Sequence, residues 1–158
     1  MNHLEELVKQ YYEWRGYLVR TNVKVGRLSH GGWDGELDIV AYHPLTNHLI
    51  HLEPSIDANS WSRREDRFDH KFKVGRQYIR NDVFPWVDTS TPIQQVAILP
   101  TSSRKELAGG EVISIDELMK EIKESVVKAG VMAKNAIPEE YDLLRTIQMT
   151  VCGYHRTV

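Results

Sequence analysis

The segment GELDIVAYHPLTNHLIHLEPS, residues 35 to 55, contains the clearest structural signal in the sequence. Two runs rich in β-branched and apolar residues flank the segment HPLTN, in which Pro44 and Asn47 are typical of a turn. Because the connection is short, the two runs are predicted to form antiparallel strands of one hairpin. The strands end close to several acidic residues, so the hairpin is also where a functional site is expected.

The acids of this hairpin fall on predictable faces, because side chains alternate between the two faces of a strand. If the first strand is regular, one face carries Asp34, Glu36 and Asp38. The other face then carries Leu37, Ile39 and Ala41. On the second strand Glu53 and Ser55 share a face with His51, where the histidine either carries protons or is a neutral, hydrogen-bonded side chain at the edge of the sheet.

A carboxylate cluster is the consequence of this alternation. When the two acidic faces coincide, Glu36 or Asp38 approaches Glu53 across the ladder. Carboxylates at this distance repel each other unless a cation lies between them. Oxygen ligands without cysteine suit Mg²⁺ or Mn²⁺ better than zinc. The alternative is a set of ordinary solvent-facing acids, but their positions within and at the end of apolar strands favour a site.

The elements around the hairpin follow from periodicity and capping. Apolar residues at helical spacing predict a first helix over residues 2 to 15 and a second over about 60 to 81, with Ser62 and Glu65 at capping-box spacing. Strands are predicted over residues 17 to 25, 94 to 100 and 112 to 115. Ser114 and Glu117 repeat the capping spacing before a third helix. A last helix is predicted from Ile137 to Val151.

Composition limits the classes that fit. A chain of 158 residues with 41% apolar residues predicts one domain, residues 1 to 158. The formal net charge of −2 gives no overall basic character, although a local basic face remains possible. The single cysteine, Cys152, forms no internal disulfide and no C-x-x-C zinc pattern. Without a signal-peptide pattern or an apolar membrane span, the sequence predicts a cytoplasmic protein.

These features together resemble a known family. A first helix with Glu5, the strand GELDIVAY, a turn, the strand HLEPS and a following helix resemble the PD-(D/E)xK nuclease superfamily over about residues 4 to 100. The resemblance implies an α/β, restriction-endonuclease-like core (α-β-β-β-α-β, about residues 1 to 115) with a mixed central sheet. Extra C-terminal helices would follow over about residues 116 to 158.

The resemblance also implies a function and a set of metal ligands. It implies a nuclease that cleaves DNA with Mg²⁺ or Mn²⁺, held by Asp38 and Glu53. Asp34, Glu36 and Glu5 would be supporting acids. Glu5 has an equally good alternative role, because Asn2 and Glu5 have the spacing of a capping box. The implied partner is nucleic acid, with no membrane, and the chain is either a homodimer or a subunit of a larger assembly.

Ser55 departs from the family pattern, because a lysine normally stands two residues after the second acid. A serine hydroxyl donates a hydrogen bond but supplies no positive charge to the scissile phosphate. Either another cation reaches the site, or catalysis is lost and the chain is a binding or interaction module. The second helix offers Lys71 and Lys73 on opposite sides of Phe72. Lys71 is favoured, because Lys73 has several possible partners one helical turn away: Asp66, Asp69, His70 and Gln77.

The second helix also carries residues suited to a nucleic-acid backbone. The candidates for phosphate contact are Arg63, Arg64, Arg67, Lys73 and Gln77. The alternative is an ordinary solvated helix face, since acidic residues are interleaved with these cations.

Overall fold

The computed structural model describes residues 1 to 152, so the last six residues of the predicted domain and of its C-terminal region lie outside the described residues. Within that range the chain forms five α-helices and one six-stranded mixed sheet. The helices are α1 (His3–Trp14), α2 (Trp61–Tyr78), α3 (Ile115–Ala129), α4 (Met132–Asn135) and α5 (Asp142–Val151). The strands are β1 (Leu18–Arg27), β2 (Trp33–His43), β3 (His48–Pro54), β4 (Ile93–Leu99), β5 (Glu106–Leu107) and β6 (Gly110–Ser114). The predicted α/β class, with a mixed sheet and further helices after it, is confirmed.

The sheet places β3 next to both β2 and β4. The spatial order is β1-β2-β3-β4-β6-β5. Strands β2 and β3 are antiparallel, which confirms the predicted hairpin. Strands β3 and β4 are parallel, and α2 lies in the connection between them. Strand β3 is therefore an interior strand, and its residues 49 to 54 are all buried, as expected where both faces of a sheet are covered.

Helices cover both faces of the sheet. On one face, Ile50 and Leu52 of β3 pack in a core cluster with residues of α1, α3 and α5. On the other face, Leu49 packs in a cluster that includes Val74 of α2. The alternating residues His51 and Glu53 face α2, so these buried polar side chains of β3 lie on the α2 side of the sheet. Among the residues that the structure describes, no helix is both long enough and apolar enough to cross a membrane.

The helix caps agree only partly with the sequence-based expectation. The capping boxes predicted at α1 and α3 are both present. In α2, however, the helix begins at Trp61, and Ser60 is the cap, accepting a hydrogen bond from the Arg63 backbone N–H. The prediction of a capping box at Ser62 and Glu65 is wrong, because both residues already lie inside the helix. After Tyr78 the chain continues as a π-helical segment, Ile79–Val83.

The last predicted helix is shorter than its apolar pattern suggests. Helix α5 begins only at Asp142, so Ile137 and Tyr141 precede it. Pro138 accounts for the non-helical backbone at Ile137, since proline disfavours helical backbone at the residue before it. Ile137 is nevertheless buried in the core cluster with α3 and α5. Its position in the apolar pattern therefore reflects burial and not helical structure.

Strand β2 does not alternate regularly around Asp38. Its ladder with β1 is in register on both sides but omits Asp38 and the opposite residue, Asn22, whose φ of +51° lies in the left-handed region. Leu37 packs in the core cluster that includes α2, whereas Ile39 packs in the cluster that includes α1. The prediction that Leu37 and Ile39 share a face is therefore wrong. Leu37 and Asp38 both lie on the α2 side, and Glu36 does not follow Asp38 onto that face.

Candidate active site

The centre of the site is one ammonium group between two carboxylates. Lys71 Nζ lies 2.8 Å from Asp38 Oδ1 and 2.9 Å from Glu53 Oε2. The Asp38 backbone N–H also donates to Glu53 Oε1 at 3.1 Å. The acids come from the adjacent strands β2 and β3, and the lysine comes from α2, which packs on this face of the sheet. The expectation that Lys71 lies beside Glu53 is confirmed as geometry, while its catalytic role stays a prediction.

The three groups differ in exposure. The Glu53 side chain is only 2% exposed, whereas Lys71 and Asp38 are 20% and 14% exposed. A molecule in solvent can therefore reach the ammonium and Asp38, with Glu53 forming the floor of the site. Charges that are partly withdrawn from water interact more strongly than surface charges.

The pKa values of the two acids are shifted in opposite directions. Burial, followed by the charge of Glu53, raises the pKa of Asp38 to about 7. Burial would also raise the pKa of Glu53, but hydrogen bonding from His51 and the charge of Lys71 lower it to about 2. Burial works against the charge on Lys71, yet the two acids raise its pKa. Lys71 and Glu53 are therefore charged at neutral pH, and Asp38 is the one of these three groups that takes up a proton.

Behind Glu53 lies a buried hydrogen-bonded chain. His51 Nε2 is 2.7 Å from Glu53 Oε1, and Gln95 Nε2 is 3.0 Å from His51 Nδ1. Gln95 also donates to the Phe72 carbonyl at 2.9 Å and accepts from Arg76 at 2.8 Å. His51 is completely buried in an interior strand and is hydrogen-bonded, but it does not lie at a sheet edge as the sequence suggested.

Ser55 belongs to a second polar cluster just beyond Glu53. Its hydroxyl donates to the Asp57 carboxylate. Arg67 donates to the same carboxylate at 2.8 Å, and Arg64 donates to the Asp57 carbonyl at 2.8 Å. Burial would raise the pKa of Asp57, but the hydrogen bond from Ser55 and the two arginines lower it. Ser55, two residues after Glu53, therefore lies beside the site, and its hydroxyl holds Asp57.

The other predicted acids have different surroundings. Both oxygens of Glu5 accept hydrogen bonds from Asn2, the capping alternative. Asp34 accepts from the Tyr78 hydroxyl at 2.9 Å. Glu36 is exposed. In the part of the chain that the structure describes, no group of three or more His, Cys, Asp or Glu side chains is arranged to hold a metal ion. The supporting acids therefore do not join Asp38 and Glu53.

The predicted phosphate-contacting residues also separate into two groups. Arg64 and Arg67 are engaged by Asp57. Arg63, Lys73 and Gln77 are exposed on α2, and Gln77 donates to the neighbouring Tyr78 hydroxyl at 3.0 Å. Lys71 therefore contacts the acids, as predicted, while Lys73 faces solvent.

The pair of carboxylates fits a small divalent cation. Mg²⁺ is commonly held by one or two carboxylates and completes its coordination with water. The pKa of Asp38 is raised first by burial and then by the charge of Glu53, even with the Lys71 ammonium beside it. Asp38 and Glu53 would hold Mg²⁺ or Mn²⁺ with water as the remaining ligands.

Several residues of the site were not predicted from the sequence. Gln95 is a polar residue within an apolar strand, and this contrast was the available signal. Asp57 follows Ser55 at a two-residue spacing, but its location in a loop left its partners undefined. Gly75 has no sequence signal beyond being a glycine within a helix. The structure shows that a Cβ added to Gly75 would lie 2.5 Å from His51 Nδ1.

Comparisons with protein-family models, with curated proteins and with solved structures find no match to this chain.

Proposed function

We propose that this chain is a divalent-metal-dependent nuclease that cleaves phosphodiester bonds in DNA, with a restriction-endonuclease-like core of the PD-(D/E)xK type. The observation that carries the proposal is the position of Lys71 Nζ, within 2.9 Å of carboxylates from two adjacent strands. The order of α1, the three strands β1 to β3, α2 and β4 supports the same resemblance. The lysine missing at Ser55 is replaced by one from α2.

Each residue then has a distinct task in hydrolysis. A divalent ion, when bound, activates water and offsets charge on the phosphate. Asp38 and Glu53 would hold the ion, with Asp38 as its ionised carboxylate. Lys71, protonated at neutral pH, donates hydrogen bonds to the scissile phosphate and supplies the positive charge that Ser55 lacks. Its exposure leaves room for this contact.

Contacts with the DNA backbone are assigned to the same helix. Arg63 and Lys73 are exposed and free to approach phosphates, and Gln77 lies farther along α2. Arg64 and Arg67 stand beside Asp57, close in sequence to the site. Cationic side chains of this kind provide affinity that depends on salt concentration and not on base sequence.

The test is cleavage of DNA by the purified protein. Supercoiled plasmid, linear duplex, single-stranded and branched DNA should be incubated with Mg²⁺, with Mn²⁺ and with EDTA, and RNA should be included as a comparison. We expect metal-dependent cleavage of DNA that Asp38→Asn and Glu53→Gln abolish. Glu36→Gln is the matched control, since this nearby acid is exposed and should leave cleavage unchanged.

A second candidate is a nuclease-like module that binds DNA without cutting it. Ser55 favours it, because the hydroxyl bonded to Asp57 brings no cation of its own. DNA binding in a gel-shift assay, without cleavage under any metal condition and without a change in Asp38→Asn, would support this module and contradict the nuclease.

A further inference from the structure

The feature that the nuclease proposal leaves unused is the interior chain formed by Arg76, Gln95 and His51. We infer that His51 is a positioning residue that fixes the orientation of the Glu53 carboxylate, an inference that rests on the proposed role of Glu53 as a metal ligand. His51 is fully buried and Gln95 is 7% exposed. Neither side chain is accessible enough to contact a substrate, so any part they play is exerted through Glu53.

The hydrogen bonds of Gln95 determine the tautomer of His51. Arg76 donates to Gln95 Oε1 at 2.8 Å, which fixes the oxygen of the amide. The two hydrogens of the amide nitrogen are then directed to the Phe72 carbonyl at 2.9 Å and to His51 Nδ1 at 3.0 Å. Because Nδ1 accepts, the imidazole proton is on Nε2, and Nε2 donates to Glu53 Oε1 at 2.7 Å.

This donor sets which oxygen of Glu53 faces the open side of the site. Oε1 accepts from His51 at 2.7 Å and from the Asp38 backbone N–H at 3.1 Å. Oε2 is left to face the proposed metal ion, and it lies 2.9 Å from Lys71 Nζ. A carboxylate held by two donors on one oxygen presents the other in a single orientation, which is how buried partners orient metal ligands.

Helix α2 packs over His51 and has a glycine where the imidazole ring lies against it. A Cβ on Gly75 would lie 2.5 Å from His51 Nδ1 and 3.0 Å from Gln95 Nε2. Phe72 packs against the imidazole edge to face, with ring centroids 5.6 Å apart. The ring is therefore confined on the α2 side by a glycine and an aromatic side chain, and it has no space to turn away from Glu53.

The experiment compares two amides at position 51. A glutamine places its amide nitrogen near the position of imidazole Nε2, whereas an asparagine places it near Nδ1. His51→Gln therefore keeps a donor to Glu53, and His51→Asn removes it. We expect the Kd for Mn²⁺, measured by electron paramagnetic resonance on the intact protein, to weaken at least tenfold in His51→Asn and by less than threefold in His51→Gln. Equal affinities in the two variants would overturn the inference.

Two metal-free NMR measurements separate this inference from the proposed function. In the wild type, ¹H–¹⁵N correlation of the imidazole should show Nε2 protonated and Nδ1 unprotonated. The side-chain ¹⁵N resonance of Lys71 should move in His51→Asn and stay in place in His51→Gln. If both results are obtained and the wild type binds no Mn²⁺, the metal site is refuted but the positioning role is supported. Protonation on Nδ1, or an unmoved Lys71 resonance in His51→Asn, overturns the positioning role whatever the protein cleaves.

Discussion

The behaviour of single residues in the site depends on the ammonium between Asp38 and Glu53. Lys71 neutralises part of the charge of two acids that are held on neighbouring strands, at 2.8 and 2.9 Å. Removing one partner of a partly buried charge group leaves the others uncompensated. The same contact therefore affects both stability and the proposed chemistry, and variants at these positions have to be measured for both.

The first prediction concerns Lys71. Lys71→Ala should lower metal-dependent DNA cleavage by about two orders of magnitude, because an electrostatic contact to the developing charge is lost. Steady-state rates at saturating Mn²⁺ measure the effect, with circular dichroism to verify folding. Lys123→Ala is the matched control, since this lysine is exposed on α3 and has no part in the proposed site or in DNA contact. Equal activities of the two variants would contradict the assigned role.

The second prediction places a positive charge at position 55, two residues after Glu53. Ser55→Lys in the Lys71→Ala background should recover part of the lost cleavage, because it rebuilds the Glu-x-Lys arrangement beside Glu53. Ser55→Ala in the same background is the control, as it removes the hydroxyl bonded to Asp57 without adding a cation. If both double variants are equally inactive, position 55 does not face the reacting phosphate.

The third prediction is the pH dependence of stability without metal. The pKa of Asp38 is raised from 3.8 to about 7, so between about pH 4 and pH 7 the folded protein holds a proton that the unfolded chain has lost. Stability from this group is therefore present below pH 4 and decreases as pH rises to 7. In EDTA at pH 8, Asp38→Asn should be more stable than the wild type by on the order of 2 kcal/mol.

Denaturant unfolding at pH 4 and pH 8 measures the third prediction. The advantage of Asp38→Asn should shrink at pH 4, where the aspartic acid of the wild type is itself uncharged. An advantage of the same size at both pH values would mean that the substitution acts through packing and not through the charge of Asp38.

At the scale of elements, helix α2 carries both the lysine of the site and the space for His51. Gly75 lies within this helix, where alanine is normally the more stable residue by about 0.5–1 kcal/mol. Its replacement should have the opposite effect here, because a Cβ at this position would be 2.5 Å from His51 Nδ1. The contact is with a confined ring, which has little freedom to move aside.

The fourth prediction follows from that contact. Gly75→Ala should destabilise the protein by about 1–3 kcal/mol, the usual cost of overpacking a core. In the background of His51→Ala, the same substitution should be much less destabilising, since the ring has been removed. A double-mutant cycle by denaturant unfolding measures the coupling. Additive effects of the two substitutions would show that the clash with His51 is not the cause.

At the scale of the whole molecule, a metal ion bound at the proposed site would be connected to folding. The acids come from β2 and β3, which meet only in the folded sheet. An ion bound to the folded state alone raises stability by mass action, by about 2.7 kcal/mol at one hundred times its Kd. Metal binding and global stability should therefore change together.

The fifth prediction tests this connection. Millimolar Mn²⁺ should raise the melting temperature of the wild type, and Asp38→Asn should abolish the increase, because a ligand is lost. The shift should be larger at pH 8 than at pH 6, since Asp38 has to lose its proton to bind the ion. Glu36→Gln should retain the full increase. A wild-type melting curve that Mn²⁺ leaves unchanged would favour the non-catalytic module.

Lys71 was expected near the acids from the family resemblance together with helical periodicity, although it lies 33 residues from Asp38 in the chain. The β2–β3 hairpin and the caps of α1 and α3 follow from local patterns: strand alternation and capping spacing. These features depend on residues that are close in the chain, and their physical causes are therefore visible in the sequence.

The contacts between polar groups depend on the tertiary structure. The irregular pair of Asn22 and Asp38 changes the alternation of β2, and a local pattern contains no information about a break in a ladder between strands. The contact of Gln95 with His51 joins strands β4 and β3, and its energy comes from burial that only the packed sheet creates. The sequence shows that Ser55 carries no charge. The hydrogen bond from its hydroxyl to Asp57 depends on how a loop folds against α2. Long-range packing and loop conformation decide these contacts, because the residues involved have no preference for each other until the chain brings them together.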